Sequence, residues 1–258
     1  MIEFSKMQAL GNDFVVIDAI NQQINPNTSW IRRIADRHYG IGCDQVLFLE
    51  KARDAKSDFF CRVFNADGSE AERSGNGARC LAKFIQQKNL SQKQRILVGT
   101  IQGSFKLVSE DDGRISVNMG VPSFAEYKAE VQSLAVFVGN PHAVLLVDNL
   151  ENVDVANLGK KICMDAYFPG GVNVEFMQVI SRNHIRLRVY ERGTGETLAC
   201  GSGACAAVVA GRIWKILDSD VRVSFAGGDV VVNWEGENKD LWLRGSATYI
   251  FDGAISKN

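Results

Sequence analysis

Two runs of this sequence set a small polar or reactive side chain directly before a glycine-rich turn. Ser74 precedes Gly75-Asn76-Gly77-Ala78, and Cys200 precedes Gly201-Ser202-Gly203-Ala204. Each run opens an apolar, alanine-rich stretch with helical character, so each marks a helix start. The first N–H groups of a helix lack intrahelical partners and the helix dipole adds positive potential, which suits such a turn to a carboxylate. A cysteine in that position is expected to have its pKa lowered from the free value of about 8.5. The resulting thiolate is a competent base. The plainer alternative, that Cys200 only caps the helix, stays open at this point. Cys205 and Cys80 fall further along their helices, where packing is the expected role. Neither run has the spacing of a P-loop or a dinucleotide fingerprint, so nucleotide binding ranks low.

Other polar residues with directed chemistry are few. His142 stands in Gly139-Asn140-Pro141-His142, where proline stiffens a turn and Asn140 and His142 offer hydrogen bonds. His38 and His184 lie in charged surroundings and are expected to be solvated or capping residues. Tyr190-Glu191-Arg192-Gly193 ends a strand and brings a carboxylate and a guanidinium toward the loop of Cys200. A surface ion pair is the bland reading of that run. The planar fork of Arg192 also suits a carboxylate of a substrate.

The elements that position these residues occur twice. Phe59-Phe60-Cys61-Arg62-Val63-Phe64 aligns with Ile185-Arg186-Leu187-Arg188-Val189-Tyr190 at an offset of 126 positions (185 − 59), and both read as strands. The same offset pairs Glu70 with Glu196, Ser74 with Cys200 and the two G-x-G-A turns with each other. An offset of 128 (139 − 11) sets Gly11-Asn12 on Gly139-Asn140 and Gln45-Val46 on Asn173-Val174. Downstream, Gln102-Gly103 and Gly227-Gly228 pair at 125 (227 − 102), each in a turn between β-rich runs. Two similar halves follow. Their principal helices are expected over 78–88 and 204–217, with shorter ones near 28–37 and 155–164. The span 121–133, with Pro122, reads as the connection between halves, which places the domains at 1–120 plus 247–258 and at 121–246. Two such units facing across an approximate twofold axis would set position 74 opposite position 200.

Composition bounds the rest. The chain has 258 residues, 46% hydrophobic and 23% charged, with 29 Lys and Arg against 30 Asp and Glu. A net charge of −1 provides no basic field for nucleic acid or an anionic membrane. No apolar run approaches the roughly 18 residues of a membrane span, and the charged N-terminus is unlike a signal peptide, so a cytoplasmic location is expected. The six cysteines are scattered without a C-x-x-C pair, which signals neither a disulfide framework nor a zinc site.

Taken together, Leu10-Gly11-Asn12-Asp13-Phe14, Phe64-Asn65-Ala66-Asp67-Gly68-Ser69-Glu70, Gly75-Asn76-Gly77-Ala78-Arg79-Cys80, Gly139-Asn140-Pro141-His142, Tyr190-Glu191-Arg192-Gly193 and Ala199-Cys200-Gly201-Ser202-Gly203-Ala204-Cys205 resemble diaminopimelate epimerases. The resemblance covers essentially the whole chain, with a connection before Gly139 that looks shorter than usual. It implies an α/β fold of two pseudo-symmetric domains, each a barrel-like mixed sheet around a central helix, with the last strand returning to the first domain and the active site in the interdomain cleft. It implies interconversion of LL- and meso-diaminopimelate for lysine and peptidoglycan precursors, with no cofactor and no metal. The implied partner is a small amino acid with two carboxylates. A homodimer is common for such enzymes, and the sequence neither supports nor opposes it.

Carried over by position, Cys200 matches one catalytic cysteine, and His142 and Glu191 match polar residues that assist proton transfer. Asn12, Gln45, Asn65, Asn140, Asn173 and Arg192 match substrate-binding positions, and the amides of Gly75, Asn76, Gly201 and Ser202 match a two-helix cradle for the α-carboxylate. The family's first catalytic cysteine falls on Ser74. Inversion at a carbon needs one group to remove the proton and another, already protonated, to supply one to the opposite face. A serine hydroxyl is a poor proton shuttle at neutral pH. Three readings stay open: a Cys→Ser substitution that keeps the shape and stops turnover, a slower or altered enzyme such as a racemase of another amino acid, and a non-catalytic amino-acid binding protein.

Overall fold

The computed structural model describes residues 1–71 and 74–256. In chain order the elements are β1 (Ile2–Ala9), β2 (Asn12–Asp18), α1 (Thr28–Ala35), β3 (Gln45–Lys51), β4 (Phe59–Asn65), β5 (Glu70–Ala71), α2 (Gly75–Gln87), β6 (Arg95–Thr100), β7 (Gly103–Ser109) and β8 (Ile115–Gly120). There follow β9 (Ser123–Glu126), β10 (Ser133–Phe137), β11 (Pro141–Leu146), α3 (Val155–Cys163), β12 (Asn173–Ser181), β13 (His184–Glu191), β14 (Gly195–Thr197), α4 (Gly201–Ile213), β15 (Asp220–Phe225), β16 (Gly228–Asn233), β17 (Leu241–Gly245) and β18 (Thr248–Ile255). The chain forms two compact units, Met1–Val117 with Gly245–Asn258, and Asn118–Arg244.

The first unit is a mixed sheet in which β18, β1, β2, β3, β4, β6 and β7 pair in that order, with β5 also on β4. The β2–β3 and β4–β6 pairs are parallel, and a helix makes each crossover, α1 in one case and α2 in the other. Helix α2 packs against β18 and β1 at one end of this order and against β7 at the other. The sheet therefore curls around α2. On its outer side α1 seals a second apolar cluster, in which Ile31 and Ile34 meet Val15, Ile17, Val46 and Phe48.

The second unit repeats this plan. Strands β9, β10, β11, β12, β13, β15, β16 and β17 pair in order, with β14 on β13 and parallel pairs at β11–β12 and β13–β15. Strand β9 covers β10 as β18 covers β1. Helix α4 touches β10, β11 and β12 on one side and β16 on the other. Its residues from Gly203 through Gly211 are all buried, and a helix that is apolar all round must be enclosed. Outside, α3 lays Val155 and Ile162 on Val174 and Phe176.

The principal and the short helices form where their patterns predict, each within a few residues of the expected bounds. The span 121–133 departs from expectation, since its early part is the strand β9 rather than a bare connection. Helices α1 and α3 start at Asn27 and Asp154, whose side chains accept from the N–H groups of Trp30 and Asn157. At the β1–β2 hairpin, Leu10 and Gly11 both have positive φ, the requirement of a tight two-residue turn, and this delivers Asn12 to the sheet end. Among the described residues no helix is long and apolar enough to cross a membrane.

Candidate functional site

In the first unit Ser74 is the cap of α2, and its Oγ accepts from the Gly77 N–H at 3.1 Å. Serine is well suited to this duty. Asn76, buried in the first turn, accepts from Arg79 at 2.8 Å and lies 3.5 Å from the Asn12 amide oxygen. The fully buried Arg79 also donates to the carbonyls of Gly75 and Ser246. Asn12 in turn donates to Asp44 at 2.9 Å. Gln45 and Asn65 are cross-strand partners, the glutamine donating to Asn65 Oδ1 at 2.9 Å. Beneath them Phe14 and Leu47 are buried apolar side chains.

An acidic and basic cluster braces this end of the sheet. Asp13 takes hydrogen bonds from Lys6, Arg37 and the Asp44 backbone. Burial alone would raise the Asp13 carboxyl, but the bonds from Arg37 and Lys6 hold it far below the usual carboxylate range. Lys6 is anchored further on the Gly42 carbonyl.

In the second unit Cys200 is the cap of α4, with Sγ 3.4 Å from the Gly203 N–H and 3.5 Å from Ser202 Oγ. The backbone repeats that of Ser74: φ and ψ are −127° and 116° at Cys200, −143° and 110° at Ser74. Glu191, at the end of β13, accepts from Thr197 Oγ1 at 2.5 Å, and its carboxyl lies near enough to Cys200 for each group to affect the other's protonation. His142 is fully buried on β11, with Nδ1 2.7 Å from Glu175 Oε1 and Nε2 2.9 Å from Asn140 Oδ1. Asn173, adjacent to His142 across the parallel pair, accepts from the Arg192 backbone N–H at 2.9 Å. The Arg192 guanidinium is exposed and donates to the Gly170 carbonyl at 2.8 Å.

The expectation of a thiolate at Cys200 is overturned. Burial, followed by the nearby carboxylates of Glu191 and Glu175, pushes the thiol well above its ordinary value of 9.0, and these outweigh the hydrogen bonds at the helix start. Burial also raises Glu191 above its ordinary range. At rest the pair is therefore a thiol beside a carboxyl that readily accepts a proton.

The structure brings Cys200, Glu191 and Ser202 together, and joins His142 to Asn140. In the first unit it joins Asn12 to Asn76 and Gln45 to Asn65. His184, expected to be solvated or capping, is instead a half-buried strand residue held by Ser224 and Arg222. Cys80 is buried in α2 and its thiol is pushed up to about 12 by desolvation. Glu175 was missed. Its signal lay in the repeat, since the 128 offset sets Glu175 on Leu47 (175 − 47), a carboxylate where the other half has a core residue. Among the described residues no group of three or more His, Cys, Asp or Glu side chains is arranged to hold a metal.

Comparison with known proteins gives a consistent picture. Residues 4–125 and 134–250 match the family described as diaminopimelate epimerase. The chain is 48% identical over 272 aligned positions to a protein of Nitrosospira multiformis named diaminopimelate epimerase, covering 98% of both. Among solved structures it is similar to a Bacillus anthracis phenazine biosynthesis protein of the PhzF family, with a TM-score of 0.77, 16% identity and 99% of each chain covered. It is also similar to a hydroxyproline epimerase from Agrobacterium vitis with bound trans-4-OH-L-proline, with a TM-score of 0.75 and 14% identity over 98% of this chain and 91% of that one. At these identities the structural likeness speaks for the fold alone.

Proposed function

Because the chain belongs to the diaminopimelate epimerase family, we propose that it acts as a cytoplasmic isomerase on diaminopimelate, exchanging the α-proton between LL and meso forms without a cofactor. The observation that carries this reading is the buried Cys200 at the cap of α4, with Sγ facing the Gly203 N–H and the Glu191 carboxyl of β13 nearby. Glu191 takes the thiol proton, the thiolate takes the α-proton, and the carbanion left behind is stabilised by the substrate carboxylate resting on helix N–H groups. The turns at Gly75-Asn76 and Gly201-Ser202 serve that carboxylate. Asn12, Gln45, Asn65, Asn140, Asn173 and Arg192 bind the remaining amine and the distal carboxylate, for which the exposed guanidinium of Arg192 is the suited donor. His142 assists proton transfer.

Ser74 impairs the second half of the reaction. Its hydroxyl already serves as cap acceptor for Gly77, and a hydroxyl is too weak an acid to deliver a proton at neutral pH. The chain is therefore expected to wash the α-hydrogen into heavy water from the Cys200 side while inverting slowly. Ser74→Cys should raise inversion of LL-diaminopimelate by about 10²- to 10⁴-fold, the usual worth of one acid/base group. Rapid inversion by the unaltered chain, or no gain from the cysteine, would count against the proposal. Binding measured by calorimetry with neither exchange nor inversion in either protein would leave an amino-acid binding protein.

A further inference from the structure

The place of Glu175 in the second unit is unusual. It lies on β12 between Val174 and Phe176, which face α3 in an apolar cluster. Strand alternation turns Glu175 to the other face, where it is fully buried against α4. Its Oε1 is 2.7 Å from His142 Nδ1. A Cβ on Gly203 would come within 2.6 Å of the same oxygen and 3.2 Å of Cys200 Cβ, so the carboxylate sits on the first turn of α4 beside the cap. Its Oε2 has no hydrogen-bond partner among the described residues. Burying a carboxylate with acceptor capacity unused is unfavourable. The fold does not require it, because Leu47 fills the equivalent place in the first unit.

We propose that Glu175 is a positioning residue of the Cys200 half-site: it fixes the His142 ring through Nδ1 and sets negative charge against the first turn of α4, under Cys200. This rests on the reading of Cys200 and His142 as working groups. A carboxylate accepts, so the bond to Glu175 places a proton on Nδ1 and fixes the orientation of the His142 ring, which turns Nε2 toward Asn140 Oδ1 at 2.9 Å. The titratable groups facing Glu175 are His142 on β11, Glu191 on β13 and Cys200 at α4. Lys160 and Lys161 of α3 are exposed on the opposite side of the sheet. Glu175 is thus one of two carboxylates, with Glu191, whose nearness disfavours a thiolate at Cys200.

Two measurements on the full-length protein test this. Thiolate ultraviolet absorbance is titrated for the unaltered chain and for Glu175→Gln, each against its Cys200→Ser counterpart. Removing the charge while keeping the shape should lower the Cys200 midpoint by about one pH unit or more. An unchanged midpoint overturns the electrostatic role. Ring-nitrogen NMR of the unaltered protein, with the His142 signals assigned by their loss in His142→Gln, should find Nδ1 protonated. A bare Nδ1 overturns the anchoring role even if the Gln variant does not fold. Neither readout uses diaminopimelate, so failure here is separable from failure of the epimerase reading.

Discussion

The starts of α2 and α4 share a backbone and differ in what lies beneath. In the first unit, the first turn of α2 after Ser74 lies against Phe14, and Leu47 is buried and apolar on the neighbouring strand. In the second, Cys200 stands above His142 and Glu175, buried and bonded to each other. The strand registers make these pairs equivalent, since Phe14 faces Gln45 as His142 faces Asn173. The same packing problem is solved once with hydrocarbon and once with a matched acid and base. The architecture accommodates either floor.

The largest effect should come from unbalancing the polar floor. His142→Phe leaves Glu175 buried without its partner, a loss of about 3–5 kcal/mol in unfolding free energy. Adding Glu175→Leu recreates the hydrocarbon floor of the first unit and should recover most of that loss in a denaturant titration. A double variant as unstable as the single one would show that the two floors are not interchangeable.

Next is the response to pH, where the two units should have opposite signs. Asp13 has a depressed pKa, so its stabilisation is present above the unfolded value of 3.8 and is lost as pH falls through the folded one. Asp13→Asn should cost about 2 kcal/mol near neutrality and flatten the acid limb of the stability curve. Glu191 has a raised pKa, so its contribution is fully present below 4.5 and is lost as pH rises through the folded value. Glu191→Gln should therefore stabilise the neutral protein by about 1 kcal/mol, an effect that fades toward pH 4 while α-proton exchange collapses. Destabilisation of the neutral protein by the glutamine would break the contrast.

The smallest difference is expected at the second glycine of each turn. A methyl at Gly203 meets the anchored Glu175 carboxylate at 2.6 Å, whereas one at Gly77 meets Ser74 Oγ at 3.0 Å. Gly203→Ala should lose about 1–3 kcal/mol to overpacking. At Gly77 the gain in helix propensity of about 1 kcal/mol offsets much of the strain, and thermal melting should shift little.

Much of this was legible in the sequence, for physical reasons. The repeat fixed two alike units because strand, turn and helix residues recur at nearly constant spacing, and the caps of α2 and α4 announce themselves through Ser74 and Cys200 before glycine. Strand β9 was not legible, since its four residues follow Pro122 and lack the alternation of a half-buried strand. Nor was the protonation of Cys200. Helix position argued for a lowered pKa, while the opposing carboxylates come from β12 and β13, whose approach is a matter of tertiary packing. Glu175 was hidden for the same reason, as a lone acid in a strand reads as solvent-facing until the sheet is seen to be covered on both sides.

The pairing of β18 with β1 has a consequence for biogenesis. Ile2 is paired across from Ile255, so the leading edge of the first unit stays bare until the ribosome has passed β18. Asn118–Arg244, by contrast, is one uninterrupted stretch that carries β9 to β16 entire. The half synthesised later is thus the first able to finish folding, and the earlier half waits with an open strand, the stage at which a nascent polypeptide is most exposed to mispairing.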